Sequence, residues 1–371
     1  MAQTKIRPMK EYIKIIVYRF SKLIGLFNLS RHLMKNRLLI LCFHGFQLQD
    51  EADFRPKLFM REAVLLKRLE AIKRYGFSVI PLEVALRTLK NGTLPVNAVC
   101  LTIDDGFYSS LKVAGPLLHR YGLPATLYLT TYYSKKCLPV YRLVVQYMFW
   151  KTVVDNLDVS DQPWGTSASV PLNEQKKKDK MCLDIIDYGE SRCCEKERQD
   201  ICRLLGKRLE VSYEHICDSR ILSLLTVDEL RELKKYGVDI QLHTHRHHLS
   251  LDNEAEARRE IRENREYIKK ALGQEPNHFC YPSGIWNSHQ WTWLKREGVI
   301  SATTCEVGLN KQSTPELALY RVLDEDAIPQ IEFEAALFGF TECIHIILGK
   351  RHRSDAARKR QQGEPLTWSD L

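Results

Sequence analysis

The sequence predicts an α/β protein built as a closed or nearly closed (β/α) barrel. Strand-like and helix-like segments alternate along most of the chain, which implies a mostly parallel sheet wrapped by helices. About seven or eight such units follow one another with no sequence repeat, and the first strand is an unbroken apolar run, Leu38–Phe43. A length of 371 residues suits one or two domains. With 44% apolar and 27% charged residues, collagen-like, prion-like, disulfide-scaffold and disordered classes are excluded.

After the first strand, an amphipathic helix is expected from about Met60 to Tyr75, stopped by Gly76. A strand over 77–80, a helix over 82–89 and a strand over 98–102 follow. Next come a helix near 109–121 ended by Gly122 and a strand over 125–130. The alternation breaks at about residue 134. From there to 224 the chain is charged, cysteine-bearing and helix-like, and reads as a helical insertion. Thr226 and Glu229 have the spacing of a capping box and restart the pattern. A strand over 238–242, a helix over 253–272, a strand over 278–281, a helix over 287–297, a strand over 299–303 and a last helix near 331–348 complete it.

The two ends are basic. Residues 1–40 carry +8 and residues 350–371 carry +3 of a total of +9, which leaves −2 for the middle and no footprint for nucleic acid. Within 9–28, Ile13, Ile16, Val17, Phe20, Leu23, Ile24 and Phe27 fall at helical spacing. Lys10, Lys14 and Lys22 interrupt the run, so it is neither a membrane span nor a signal peptide. Two readings stand: a basic amphipathic helix on an anionic membrane face, or a helix packed on the body with a solvated basic side. The organisation is then a basic N-terminal helix over 1–36, a barrel over 37–349 with the 134–224 insertion, and a basic flexible tail over 350–371. The 11 cysteines are odd in number and contain no C-x-x-C pair, which argues for reduced thiols. With no leader evident, the expected place is the cytoplasm, peripheral on the inner membrane face.

Three strand ends carry chemistry. Leu101-Thr-Ile-Asp104-Asp105-Gly106 ends a strand in two adjacent carboxylates, costly unless a cation is near, although a turn with a helix cap reads the same way. His243, His245, His247 and His248 stand just after a strand, and the spacing of His243 and His247 lets both reach one divalent ion. Cys280-Tyr281-Pro282-Ser283-Gly284-Ile285-Trp286 is a tight turn between aromatics, or simply a structural turn. At one barrel mouth, one carboxylate and two imidazoles leave a metal position open for water, and the second carboxylate is free to take a proton.

These motifs, with Leu94-Pro95 and Gly122-x-Pro124-Ala125-Thr126, resemble the polysaccharide deacetylases of the NodB-homology group, carbohydrate esterase family 4. The resemblance covers roughly 38–133 and 225–325 and implies a distorted (β/α) barrel of about seven strands. It also implies a hydrolase that removes N-acetyl or N-formyl groups from an amino-sugar glycan with a divalent ion, Zn²⁺ first. By motif, Asp104 resembles the general base, and Asp105, His243 and His247 the metal ligands. A backbone amide near Ser283 takes the oxyanion position. The third motif departs from the family at Cys280 and Ser283, and no late Leu-x-x-His acid motif is present. The branch of poly-N-acetylglucosamine deacetylases takes its acid histidine from the first strand, here His44. Arg321 supports Asp104 or the substrate; Tyr108, Tyr281 and Trp286 offer faces to a sugar. His245 is unassigned, and His248 is an alternative third ligand or a sugar contact. A non-catalytic carbohydrate-binding barrel and a deacylase of a lipid-linked sugar at the membrane surface are the competing readings.

Overall fold

Seven parallel strands close on themselves: β1 (Leu39–Phe43), β2 (Ala98–Ile103), β3 (Ala125–Leu129), β4 (Val238–Leu242), β5 (His278–Cys280), β6 (Ser301–Val307) and β7 (Leu319–Leu323). This is a computed structural model, and it describes residues 9–164 and 169–349. The strands neighbour one another in chain order. The ring is shut by β1, which pairs with β2 from Leu39↔Val99 to Phe43↔Ile103 and with β7 at Leu41↔Val322. Ser78–Val79 adds an eighth, short strand outside the ring. It pairs with the start of β2 (Ser78↔Ala98), before β3 begins its own pairing at Thr102↔Thr126.

Strand alternation sorts the side chains into two sets. Leu39, Leu41 and Phe43 join the apolar layer under the helices, with Leu127, Leu129, Ile240, Leu242, Phe279 and Tyr281. Leu38, Ile40, Cys100, Tyr128, Cys280 and Leu319 pack together in a separate buried cluster. A continuous apolar strand is what burial on both faces requires. The capping box at Thr226 and Glu229 is formed as the sequence predicts.

Three elements differ from the sequence reading. Strand β7 lies in a stretch not expected to be a strand. The last helix is two helices, Gln330–Leu337 and Phe340–Ile347, broken at Gly339, whose φ of 69° a continuous helix cannot hold. The insertion holds an antiparallel hairpin, Asn156–Asp158 with Ser169–Pro171, besides its helices. That insertion has an apolar cluster of its own, including Met148, Phe149, Ile185 and Ile216, joined from the barrel by Phe59 and Phe107. It is fastened to the loop after β2: Tyr108 N donates to Ser223 O at 2.8 Å and Leu225 N to Gly106 O at 2.9 Å.

The N-terminal segment forms α1 (Met9–Leu23) and α2 (Leu26–Leu33), which turn at Gly25 with φ 84°. Tyr18 and Ser21 face the body, and Lys14 and Lys22 pair with Glu332 and Glu334. The apolar face of α1 points away from the protein. The helix does pack on the body, but through Tyr18, Ser21 and its two ion-paired lysines rather than through its apolar residues. The tail 350–371 and the first eight residues lie outside the described residues.

Candidate active site

The C-terminal ends of the strands form one mouth, as in other parallel barrels. His44 follows β1, Asp104 and Asp105 follow β2, His243 follows β4, and Arg321 projects from β7. Asp105 adopts φ 71°, and Gly106 follows at φ 90°. This left-handed turn sets the two adjacent carboxylates on different neighbours. A Cβ at Gly106 would come within 2.5 Å of Leu129, so the turn needs glycine twice over.

Asp105 meets both histidines. Its Oδ1 lies 3.3 Å from His243 Nε2 and 3.3 Å from His247 Nε2. The three ligand atoms all lie within 4.8 Å of one another. An ion bound at 2.0–2.2 Å in tetrahedral geometry holds its ligands roughly 3.3–3.6 Å apart, so this donor set fits a divalent metal. The ring of His243 is oriented for it. Its Nδ1 sits 2.8 Å from Cys280 O, a pure acceptor, so Nδ1 carries a hydrogen and Nε2 is the nitrogen left to face Asp105 and, once deprotonated, an ion. His248 is exposed and lies 4.0 Å from Glu256, away from this cluster; His247 is the imidazole that converges on Asp105. His245 is structural: its Nδ1 lies 2.8 Å from Thr131 Oγ1, and it is buried.

The electrostatics follow from these pairings. Burial alone would raise Asp105, but its contacts with His243, His247 and His44 outweigh that and lower it. Burial would lower His243; the neighbouring Cys280, Asp105 and Asp104 raise it well above the usual imidazole range. His247 is pushed down to about 4, chiefly by desolvation, with His243 and His44 adding to it against Asp105. Its side chain is 41% exposed, which tempers the desolvation. Of the two imidazoles, His243 thus favours its protonated form and His247 its neutral form.

Asp104 is 2% exposed. Its Oδ1 accepts from Arg321 Nη1 at 2.8 Å, and Arg321, fully buried, also donates through Nε to Thr304 O at 2.8 Å. The other oxygen, Oδ2, has Cys280 Sγ at 3.4 Å, Cys42 Sγ at 3.5 Å and His44 Nε2 at 3.9 Å around it. Burial would raise this carboxyl, but Arg321 first, then His243 and His44, hold it well below the usual carboxylate range. It is an ionised carboxylate with one oxygen committed and one facing His44.

The third turn is placed differently from the other two. Ser283 is exposed at φ 55°, in the one-turn 3₁₀ segment Pro282–Gly284. Tyr281 is fully buried, with its hydroxyl 3.0 Å from Leu317 O, so its ring offers no face to a sugar. Trp286 is the middle ring of a stack between Tyr281 (5.7 Å) and Trp291 (5.8 Å). Tyr108 is covered by the Arg220 guanidinium at 4.3 Å.

Sequence reasoning missed Asn264. Fully buried on the helix 254–272, it accepts from His243 N at 3.1 Å and donates to Leu129 O at 2.8 Å and Thr131 Oγ1 at 3.0 Å. It ties β3 to the start of the histidine loop. Nothing in its surroundings in sequence marks it, because all its partners are remote.

Comparison with known proteins adds a partial family match and a likeness of fold. Residues 204–301 match the family described as polysaccharide deacetylase. No curated protein sequence matches the chain. Among solved structures, a deacetylase of Streptococcus pyogenes, PplD, in complex with acetate is 18% identical, with a TM-score of 0.54 over 81% of this chain and 98% of that one. IcaB from Ammonifex degensii is 15% identical (TM-score 0.50; 81% and 97%). A de-N-acetylase from Aggregatibacter actinomycetemcomitans is 16% identical (TM-score 0.50; 81% and 99%). At such identities the structural likeness is one of fold. The seven-stranded barrel and the Asp–His–His mouth thus stand together with a 98-residue match to the polysaccharide deacetylase family. The fold is enzyme-like, with a candidate metal-dependent hydrolytic site.

Proposed function

We propose that the chain hydrolyses the N-acyl group, acetyl first and formyl second, of an amino-sugar glycan. The observation that carries this is the convergence of His243 and His247 on one oxygen of Asp105, beside a second, separately held carboxylate. Asp105, His243 and His247 would hold Zn²⁺ or a similar divalent ion, which when bound supplies Lewis-acid polarisation and a more acidic water. Asp104 takes the proton of the attacking water at Oδ2, since Arg321 occupies Oδ1. His44, at the rim beside Asp104, gives a proton to the leaving amine nitrogen. The backbone amide near Ser283 donates to the developing oxyanion. The C–N bond breaks, and acetate and a free amino sugar leave. PplD is described in complex with acetate, the product this reading expects.

The substrate side is set less by aromatic faces than by the mouth and the adjoining insertion. Tyr281, Trp286 and Tyr108 are engaged in packing, which leaves rim residues such as His44, His247 and Ser283 to meet the sugar. The place of His44 just after β1, the strand from which the poly-N-acetylglucosamine branch takes its acid histidine, supports a glycan of that type. The unpaired cysteines support a reducing compartment.

The test is acetate release from N-acetylated glucosamine oligomers by the zinc-loaded protein. Asp104→Asn should reduce turnover at least ~100-fold while metal content is kept, and His243→Ala should lose both. Near-normal turnover in Asp104→Asn would remove Asp104 as base. A metal-loaded protein that binds oligomers without releasing acetate would favour the carbohydrate-binding reading instead.

A further inference from the structure

Helix α1 is packed inside out. Tyr12, Ile13, Ile16, Val17, Phe20, Leu23 and Ile24 are 48–83% exposed, while the side facing the protein carries Tyr18, Ser21 and the ion-paired Lys14 and Lys22. At 3.6 residues per turn the seven apolar residues fill an arc of roughly 140°. Lys10 stands at one edge of that arc and Arg19 at the other. Both are exposed, and neither forms a salt bridge among the described residues. The helix 340–347 packs beside α2 and ends in exposed Ile346, Ile347 and Leu348, and α2 adds exposed Leu29 and Leu33.

Leaving this much apolar surface in water is costly, at about 25 cal/mol per Å², and a patch of this kind marks an interaction surface. The ion pairs to Glu332 and Glu334 fix which side faces out, so rotation cannot bury it. The fold holds the apolar side outward.

We propose that the outer face of α1 lies in the interfacial layer of an anionic lipid membrane. Two cations bracketing an apolar arc is the arrangement in which long basic side chains reach up to headgroups while the arc enters the acyl boundary. The chain that follows the helix 340–347 adds six basic residues against three acidic ones over 350–371. A second copy docked face to face would bring together two rims that each carry Lys10 and Arg19, which like charge opposes. No helix among the described residues is long and apolar enough to cross a membrane, so the contact is peripheral. Taken with the deacylase reading, on which this clause rests, the surface selects a glycan carried at a membrane.

Flotation of the full chain with vesicles tests it. Vesicles of phosphatidylcholine with 30 mol% phosphatidylglycerol should carry the protein up, and raising the salt should weaken the binding. The double substitution Ile16→Glu/Phe20→Glu should cut binding at least tenfold, and Lys10→Glu/Arg19→Glu should remove the preference for anionic over pure phosphatidylcholine vesicles. Leu23→Ser serves as a milder check should the double variant not fold. Acetate release from soluble oligomers should be unchanged in all three, so loss of docking and loss of the deacylase reading are separable. No binding to anionic vesicles, or full binding by Ile16→Glu/Phe20→Glu, overturns the proposal. So does a wild-type dimer, seen by light scattering, that this variant turns into a monomer.

Discussion

Asp104 is ionised inside a barrel because Arg321 is ionised beside it. Both are buried, and each would be expensive alone. The depressed carboxyl contributes stability that is present above the ordinary carboxylate range and lost as pH falls through the folded value. Arg321→Met leaves the carboxylate without its cation, so its pKa must rise. The acid limb of the kcat/KM profile should move to higher pH, and the variant should lose about 3–5 kcal/mol of stability in urea near neutrality. An acid limb that stays in place would assign the base to another group. The Asp pair, His243, His247 and His44 were picked out by their motifs and strand-end positions, and the fold brings them to one mouth. The environment of Asp104 was not. Cys42 carries no signal in sequence and Cys280 stands out only as a departure from the third motif; only the closed ring brings both thiols to one carboxylate oxygen.

At the scale of elements, alternation explains both success and failure. Leu39 to Phe43, Ala98 to Ile103 and Val238 to Leu242 are apolar enough to be read as strands directly. Strand β7 was not read as one, because Leu319-Tyr-Arg-Val-Leu323 carries an arginine at its centre. That residue is admitted to the interior only because Asp104 and the Thr304 carbonyl satisfy it. The same period of two explains Tyr281: Cys280 points inward, so its neighbour must point to the helix layer, and its ring is lost to the site. The last helix divides at Gly339 for a backbone reason that periodicity does not reveal. The tie between elements is Asn264. Replacing it with Leu removes the side-chain partner of the His243 amide and of the Leu129 carbonyl and leaves the Thr131 hydroxyl only His245, at ~1–3 kcal/mol for each buried group left unpaired. Asn264→Leu should lower the urea midpoint and weaken metal binding more than it lowers kcat of the metal-saturated enzyme. Wild-type metal affinity in that variant would show that His243 is positioned without it.

For the whole molecule, one ion would link two distant stretches of chain, residues 105 and 243–247, across the mouth of the barrel. A ligand that binds only the folded state stabilises it by about 2.7 kcal/mol at a hundredfold excess over Kd, so zinc should raise the Tm and a chelator should lower it. The sign with pH is set by His243. Its folded pKa is raised in the absence of metal, so the ion must displace a proton, and the gain in Tm should grow as pH rises from 6 to 8. A zinc-induced shift that is flat with pH would place the metal on other ligands. The length, the alternating units and the interrupted middle gave the barrel and its insertion. The outward apolar face of α1 was not legible, because periodicity shows that a helix has two faces without saying which one the body takes.

The most direct measurement is an anomalous-scattering map from a crystal of the zinc-loaded protein. A single strong peak is predicted at 2.0–2.2 Å from Asp105 Oδ1, His243 Nε2 and His247 Nε2, with Asp104 still paired to Arg321. A peak centred instead on Cys42, Cys280 and Asp104, or no peak in the mouth at all, would contradict the account.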